Sequence, residues 1–168
     1  MKYIKAAIAV IALVLLDQWT KVLAVTHLMN TNGVTIIPNV FRLYYLENRG
    51  SAFGLMQNQK IFFVIFTILV LAVLTLIYRK IPDTKRMLPL KIAGILIYAG
   101  AIGNFIDRVR QSYVVDFFYF ELINFPIFNV ADIYVTTAAV ALIVLVIFCY
   151  KDEDFVFLGS RKDKKTKV

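Results

Sequence analysis

Ile61 to Tyr78 reads IFFVIFTILVLAVLTLIY, an uncharged run that is apolar apart from Thr67 and Thr75. An α-helix rises about 1.5 Å per residue, so roughly 20 such residues cross the hydrocarbon core of a bilayer. The run is therefore read as a membrane span. Three others share its character, near residues 3–27, 88–107 and 132–150. Of the 168 residues 60% are hydrophobic, too many for a chain that folds in water.

The first run needs care, because Lys2 and Lys5 followed by aliphatic residues from Ala6 to Leu16 resemble a secretory signal peptide. The apolar run continues through Asp17, Gln18, Trp19 and Lys21 into Val22 to Val25, without a clean small-x-small cleavage site, so a retained helix is expected. In the third run Gly94, Gly100 and Gly103, with Ala93, Ala99 and Ala101, form a small-residue surface that lets helices approach closely. Gly100, Asn104 and Arg108 follow at four-residue spacing, which leads that packing face to polar residues.

A net charge of +8 would suggest nucleic acid in a soluble chain, but its placement argues otherwise. Of the 19 Lys and Arg residues, 13 lie in the N-terminal pentapeptide, the Arg79 to Lys91 loop and the stretch from Lys151 onward. A four-helix topology puts those segments on one side, which the positive-inside rule makes cytoplasmic. No nucleic-acid partner is expected; the basic flanks set topology and meet anionic lipid.

Leu28 to Lys60 then lies on the extracytoplasmic face, punctuated by Asn, Gly and Pro. Within it Val40 to Leu46 is β-prone, and Ala52 to Met56 is a candidate partner strand for a small sheet on the membrane surface. The expected fold is thus a mainly α membrane protein, a four-transmembrane-helix bundle with a small extracytoplasmic β-rich platform. One domain is expected over residues 1–150, with helices near 3–27, 61–79, 88–107 and 132–150 and extracytoplasmic segments at 28–60 and 108–131. Residues 151–168 read as a basic, disordered cytoplasmic tail, with five basic residues among the last eight.

Chemistry must come from few residue types. Cys149 is the single cysteine and His27 the single histidine, near opposite membrane faces, so disulfide, zinc and serine-histidine chemistry are poorly supported. The carboxylates remain. Asp17 and Lys21 stand one helical turn apart and can pair, or turn toward a polar interior. Asp107, Asp116 and Asp132 gather at the ends of apolar runs. Two aspartates sharing one site do not both ionise easily, so one can hold a proton while the other activates water. Asp116 lies in an apolar setting that favours the protonated form, and Asp132 lies at a helix N-terminus that favours charge. Spacing alone leaves open, and favours, a helix cap at Asn129 or Asp132 with Asp116 as an exposed loop acid.

Five segments, taken in order, carry a resemblance: Asp17-Gln18-Trp19-Thr20-Lys21, Asn48-Arg49-Gly50-Ser51-Ala52-Phe53-Gly54, Gly103-Asn104-Phe105-Ile106-Asp107-Arg108, Val115-Asp116-Phe117 and Phe128-Asn129-Val130-Ala131-Asp132. Together the chain resembles the bacterial lipoprotein signal peptidases, or signal peptidase II, over nearly its whole length to Tyr150. The resemblance implies an aspartyl endopeptidase of the bacterial cytoplasmic membrane that cuts prolipoproteins just before a diacylglyceryl-modified cysteine. It implies Asp116 and Asp132 as the catalytic pair, supported by Asp17, Lys21, Asn48, Gly103, Asn104, Asp107, Arg108 and Asn129. It also implies prolipoprotein and membrane lipid as partners, cyclic peptides of the globomycin type as inhibitors, and no cofactor or metal; a monomer is expected. Asp107 is read as a support held ionised by neighbouring Arg108. A proton-coupled transporter would also cluster carboxylates, but near the bilayer midplane, whereas these lie toward one face.

Overall fold

The computed structural model describes residues 2–50 and 59–159. Among them, four helices are long and apolar enough to cross a membrane: α1 (Lys2–Leu28), α2 (Lys60–Lys80), α3 (Leu88–Gln111) and α4 (Val130–Val144), the last continuing through a π turn at Leu145–Cys149. α3 begins where Pro89 suits the first helical turn. It runs to Gln111, a turn past the expected end, because nothing from Asp107 to Gln111 breaks a helix and Arg108 and Arg110 suit its C-terminal dipole. Asp107 and Arg108 are thus helical residues. α4 starts at Val130, two residues early, because Asn129 and Asp132 form a reciprocal capping box.

The platform is a three-stranded antiparallel sheet ordered β1 (Val34–Ile37), β2 (Phe41–Asn48) and β3 (Val114–Phe120). β2 matches the β-prone stretch, but its two neighbours are β1 and β3, the latter from the far side of two membrane spans. Ala52 to Met56 lies outside the described residues. The β2–β3 register sets Leu46 opposite Asp116 and Asn48 opposite Val114, which carries Asp116 to the bundle's end. Phe118 and Phe128 pack 5.6 Å apart between their ring centres and tie β3 to the segment leading into α4.

Inside the bundle, close approach replaces hydrophobic bulk. Ala99, Ala131 and Ala138 are fully buried. A Cβ on Gly100 would stand 2.5 Å from the Ala131 carbonyl oxygen, and one on Gly103 would stand 2.5 Å from Asp17 Oδ2. These glycines let α3 touch α4 and the acidic turn of α1, as expected where packing rather than water drives association.

The disordered reading of the segment after Tyr150 needs correction in its first part. Asp152–Leu158 forms a short 3-10 helix. Phe155 and Phe157 pack on Ile81, Met87 and Tyr150, and Arg86 clasps Asp154 at 2.6 Å. Phenylalanines within an otherwise acidic stretch supply the apolar area that holds it down.

Candidate active site

Two layers of polar residues meet where α1, α3, α4 and β3 converge. In the deeper layer Asp17 is fully buried, Lys21 and Asp107 nearly so. Lys21 Nζ lies 3.0 Å from both Asp17 Oδ2 and Asp107 Oδ2. Asp17 Oδ1 accepts the Ala131 N–H at 2.9 Å, and Asp107 Oδ2 accepts the Val115 N–H at 3.2 Å. One ammonium thereby joins α1 to α3, while its two carboxylates reach α4 and β3. Buried charges survive only when paired and hydrogen-bonded in this way.

Arg108 was the expected partner of Asp107, and the structure corrects this: Lys21 and Gln18 hold that carboxylate, Gln18 Nε2 donating at 2.9 Å. Successive helical residues point in different directions, so sequence adjacency did not imply contact. Arg108 turns instead to the cavity described below, stacks 4.7 Å from the Phe63 ring centre and donates to the Gly50 carbonyl at 3.3 Å. Gln18 stands in the motif around Asp17 and is a site residue beyond those the sequence reading names; a glutamine inside an apolar helix is its signal.

Asn104 connects the deeper layer to the outer one. Its Oδ1 accepts from Lys21 Nζ at 2.9 Å and from Asn129 Nδ2 at 3.0 Å, and its Nδ2 donates to Asp132 Oδ1 at 2.8 Å. Asp132 Oδ2 accepts the Asn129 backbone N–H at 3.1 Å, and the Asn129 side chain accepts the Asp132 N–H at 3.0 Å. Asp116 Oδ1 accepts from Asn129 Nδ2 at 2.6 Å, and its Oδ2 accepts from Asn48 Nδ2 at 2.8 Å. Asp116 is 1% exposed, so it is no surface loop acid. The cap at Asn129 and Asp132 is real, and its residues also shape the site.

Asp116 and Asp132 both line one cavity of about 420 Å³ at the sheet end of the bundle. Asn48, Asn104 and Arg108 share its wall with Phe125, Pro126, Ile127, Phe128, Thr136 and Thr137. Burial first, then the facing Asp132 carboxylate, pushes the Asp116 carboxyl up to about 7 from an ordinary 3.8, against the hydrogen bonds from Asn48 and Asn129. With both oxygens already accepting from amides, an Asp116 proton has the cavity as its free direction. Two carboxyl groups, one poised to hold a proton at neutral pH, can polarise a carbonyl and activate a water between them.

All ten residues singled out from the sequence thus fall in one connected cluster: Asp17, Lys21, Asn48, Gly103, Asn104, Asp107, Arg108, Asp116, Asn129 and Asp132.

The family model described as signal peptidase (SPase) II matches residues 9–148. A lipoprotein signal peptidase of Streptococcus thermophilus is 42% identical over 154 residues, covering 92% of this chain and 97% of its own length. One from Streptococcus pyogenes serotype M5 is 40% identical over 148 residues, covering 88% and 94%. Two solved bacterial membrane enzymes are each 32% identical, with TM-scores of 0.76 and 0.74; they cover 97% and 87% of this chain and 94% of their own. With four membrane-spanning helices, a surface sheet and this coverage, the chain belongs to the signal peptidase II family of membrane peptidases.

Proposed function

We propose that this peptidase is an aspartyl endopeptidase of the bacterial cytoplasmic membrane. It removes signal peptides from prolipoproteins by cutting just before the diacylglyceryl-modified cysteine, with Asp116 and Asp132 as the water-activating pair. The observation that carries this reading is the pair itself: a buried carboxyl group, Asp116, and a half-buried one, Asp132, on one cavity, each fixed by asparagines. Curated relatives named lipoprotein signal peptidase support the substrate class.

In the proposed reaction, ionised Asp132 takes a proton from water as the water oxygen attacks the scissile carbonyl carbon. Asp116 gives its proton to the carbonyl oxygen, which leaves a neutral gem-diol. Asp132 then passes its proton to the leaving nitrogen while Asp116 recovers one from a diol hydroxyl. The C–N bond breaks, and both carboxyl groups return to their starting state. Asn104 and the Asn129 backbone hold Asp132, and the Asn48 and Asn129 amides hold Asp116. Asp17, Lys21 and Asp107 brace these amides from below, and Gly103 makes room for Asp17.

The substrate's own acyl chains and apolar signal helix supply most of the binding, because both partition into the bilayer and deliver the bond to the cavity at the interface. Both termini are cytoplasmic in this reading, with the cavity on the outer face. Cyclic peptides of the globomycin type occupy the same cavity, and the chain works as a monomer without a cofactor. Proton-coupled transport has no observation in its favour. The test is to offer purified protein in detergent two precursor peptides, alike except for the diacylglyceryl group. Cleavage restricted to the modified peptide is expected; equal cleavage of both overturns the substrate assignment.

A further inference from the structure

A second hollow of about 420 Å³ lies between α1 and α2 over α3, at the end of the bundle opposite the sheet. Both helices pack on α3 and scarcely on each other, so α3 floors a trough open to the membrane. Along α1 its wall includes Tyr3, Ala7, Val10 and Ile11, the i, i+4, i+7, i+8 stripe of one helix face, about 12 Å long, with Ala6 beside it. The two hydroxyls midway along the wall are already used. Thr75 Oγ1 and Tyr98 Oη both donate to the Leu71 carbonyl, at 2.7 and 2.8 Å, and they touch each other. The rest of the lining is mostly aliphatic and aromatic, and a hydrocarbon chain suits it.

Its mouth differs in character. Tyr78 and Arg79 close it at the end of α2, at the membrane edge. Of the basic residues at this end, Arg86 is taken up by Asp154 and Lys91 by Asp83. Arg79 and Lys80 are exposed and make no ion pair among the described residues. A guanidinium with no ion pair among the described residues, at the mouth of an apolar trough, matches an anionic head with an acyl tail.

We propose that the trough between α1, α2 and α3 is a binding site for one anionic phospholipid of the leaflet on that side, an acyl chain lying along Ala7 and Val10 and its phosphate held by Arg79.

The test is native mass spectrometry of the full chain in detergent, titrated with phosphatidylglycerol, with phosphatidylcholine of identical chains, and with inorganic phosphate. One phosphatidylglycerol per chain is expected to be retained, about tenfold over phosphatidylcholine. Arg79→Gln erases that preference. Ala7→Phe fills the trough and lowers retention of both lipids, and neither change moves the lipid-free thermal midpoint. Equal retention of the two lipids by the wild type overturns the proposal, as does retention unchanged in both variants. Displacement by inorganic phosphate with Ala7→Phe silent would reduce the site to a surface anion contact. A dimer that covers the trough would give it to a second copy. Arg79 and Ala7 lie outside the aspartate cavity, so the outcome is independent of the proposed peptidase chemistry.

Discussion

Lys21 Nζ lies 2.9 Å from Asn104 Oδ1, and that contact decides which way the Asn104 amide faces. With its oxygen toward the ammonium, its NH₂ must point to Asp132. A residue of the deeper layer thus sets the hydrogen bonding of a cavity carboxylate it never touches.

Removing each partner separates bracing from chemistry. Lys21→Met leaves Asp17 and Asp107 as buried, uncompensated charges, so a loss of about 3–5 kcal/mol in stability is expected from thermal unfolding in detergent. Asn104→Ala keeps both ion pairs and removes one donor from Asp132. It should cost only about 1 kcal/mol in stability yet slow turnover roughly 100-fold. Equal effects of the two variants on both measurements would contradict this division.

Gly103 is needed for space. A Cβ there meets Asp17 Oδ2 at 2.5 Å, and Asp17 is fixed by Ala131 and Lys21 and cannot retreat. Gly103→Ala should therefore destabilise by about 1–3 kcal/mol, read as a lowered unfolding midpoint. An unchanged midpoint would mean that α1 and α3 are less tightly apposed.

Much of this architecture was legible in the sequence because membranes impose strict rules. Ile61 to Tyr78 can hardly be anything but a span, and Asp17 with Lys21 one turn apart in an apolar helix had to pair or turn inward. What stayed illegible was long-range. Nothing in Val114 to Phe120 indicates that its strand partner is Phe41 to Asn48, because pairing across two spans leaves no local periodicity. The exchange of Arg108 for Lys21 as the partner of Asp107 has the same origin, since side-chain direction depends on helix phase and on neighbours rather than adjacency. Phe155 and Phe157 pack down from a stretch whose surrounding charges read as a solvated tail, and two phenylalanines carry no periodic signal of their own.

The Asp116 proton gives a pH signature. Its carboxyl sits at about 7 in the folded chain against an ordinary 3.8, so the native state binds a proton that the unfolded state has released across that window. The sign is that of a raised acid: stability falls as pH rises from about 4 to 7, and Asp116→Asn should flatten the slope of unfolding midpoint against pH. Because the proposed reaction needs that proton, kcat/KM should fall about tenfold per pH unit above roughly 7. A rate that keeps rising to about pH 9 would remove Asp116 from the role of acid.

The most direct measurement is single-turnover cleavage of a diacylglyceryl-modified precursor peptide by the wild type and by Asp116→Asn and Asp132→Asn, each checked for an intact fold by its unfolding midpoint. The expected result is one cut, at the bond before the modified cysteine, with each variant slowed at least about 1,000-fold. Wild-type rates from either folded variant, or a cut elsewhere in the peptide, would contradict the assignment of Asp116 and Asp132 as the working pair.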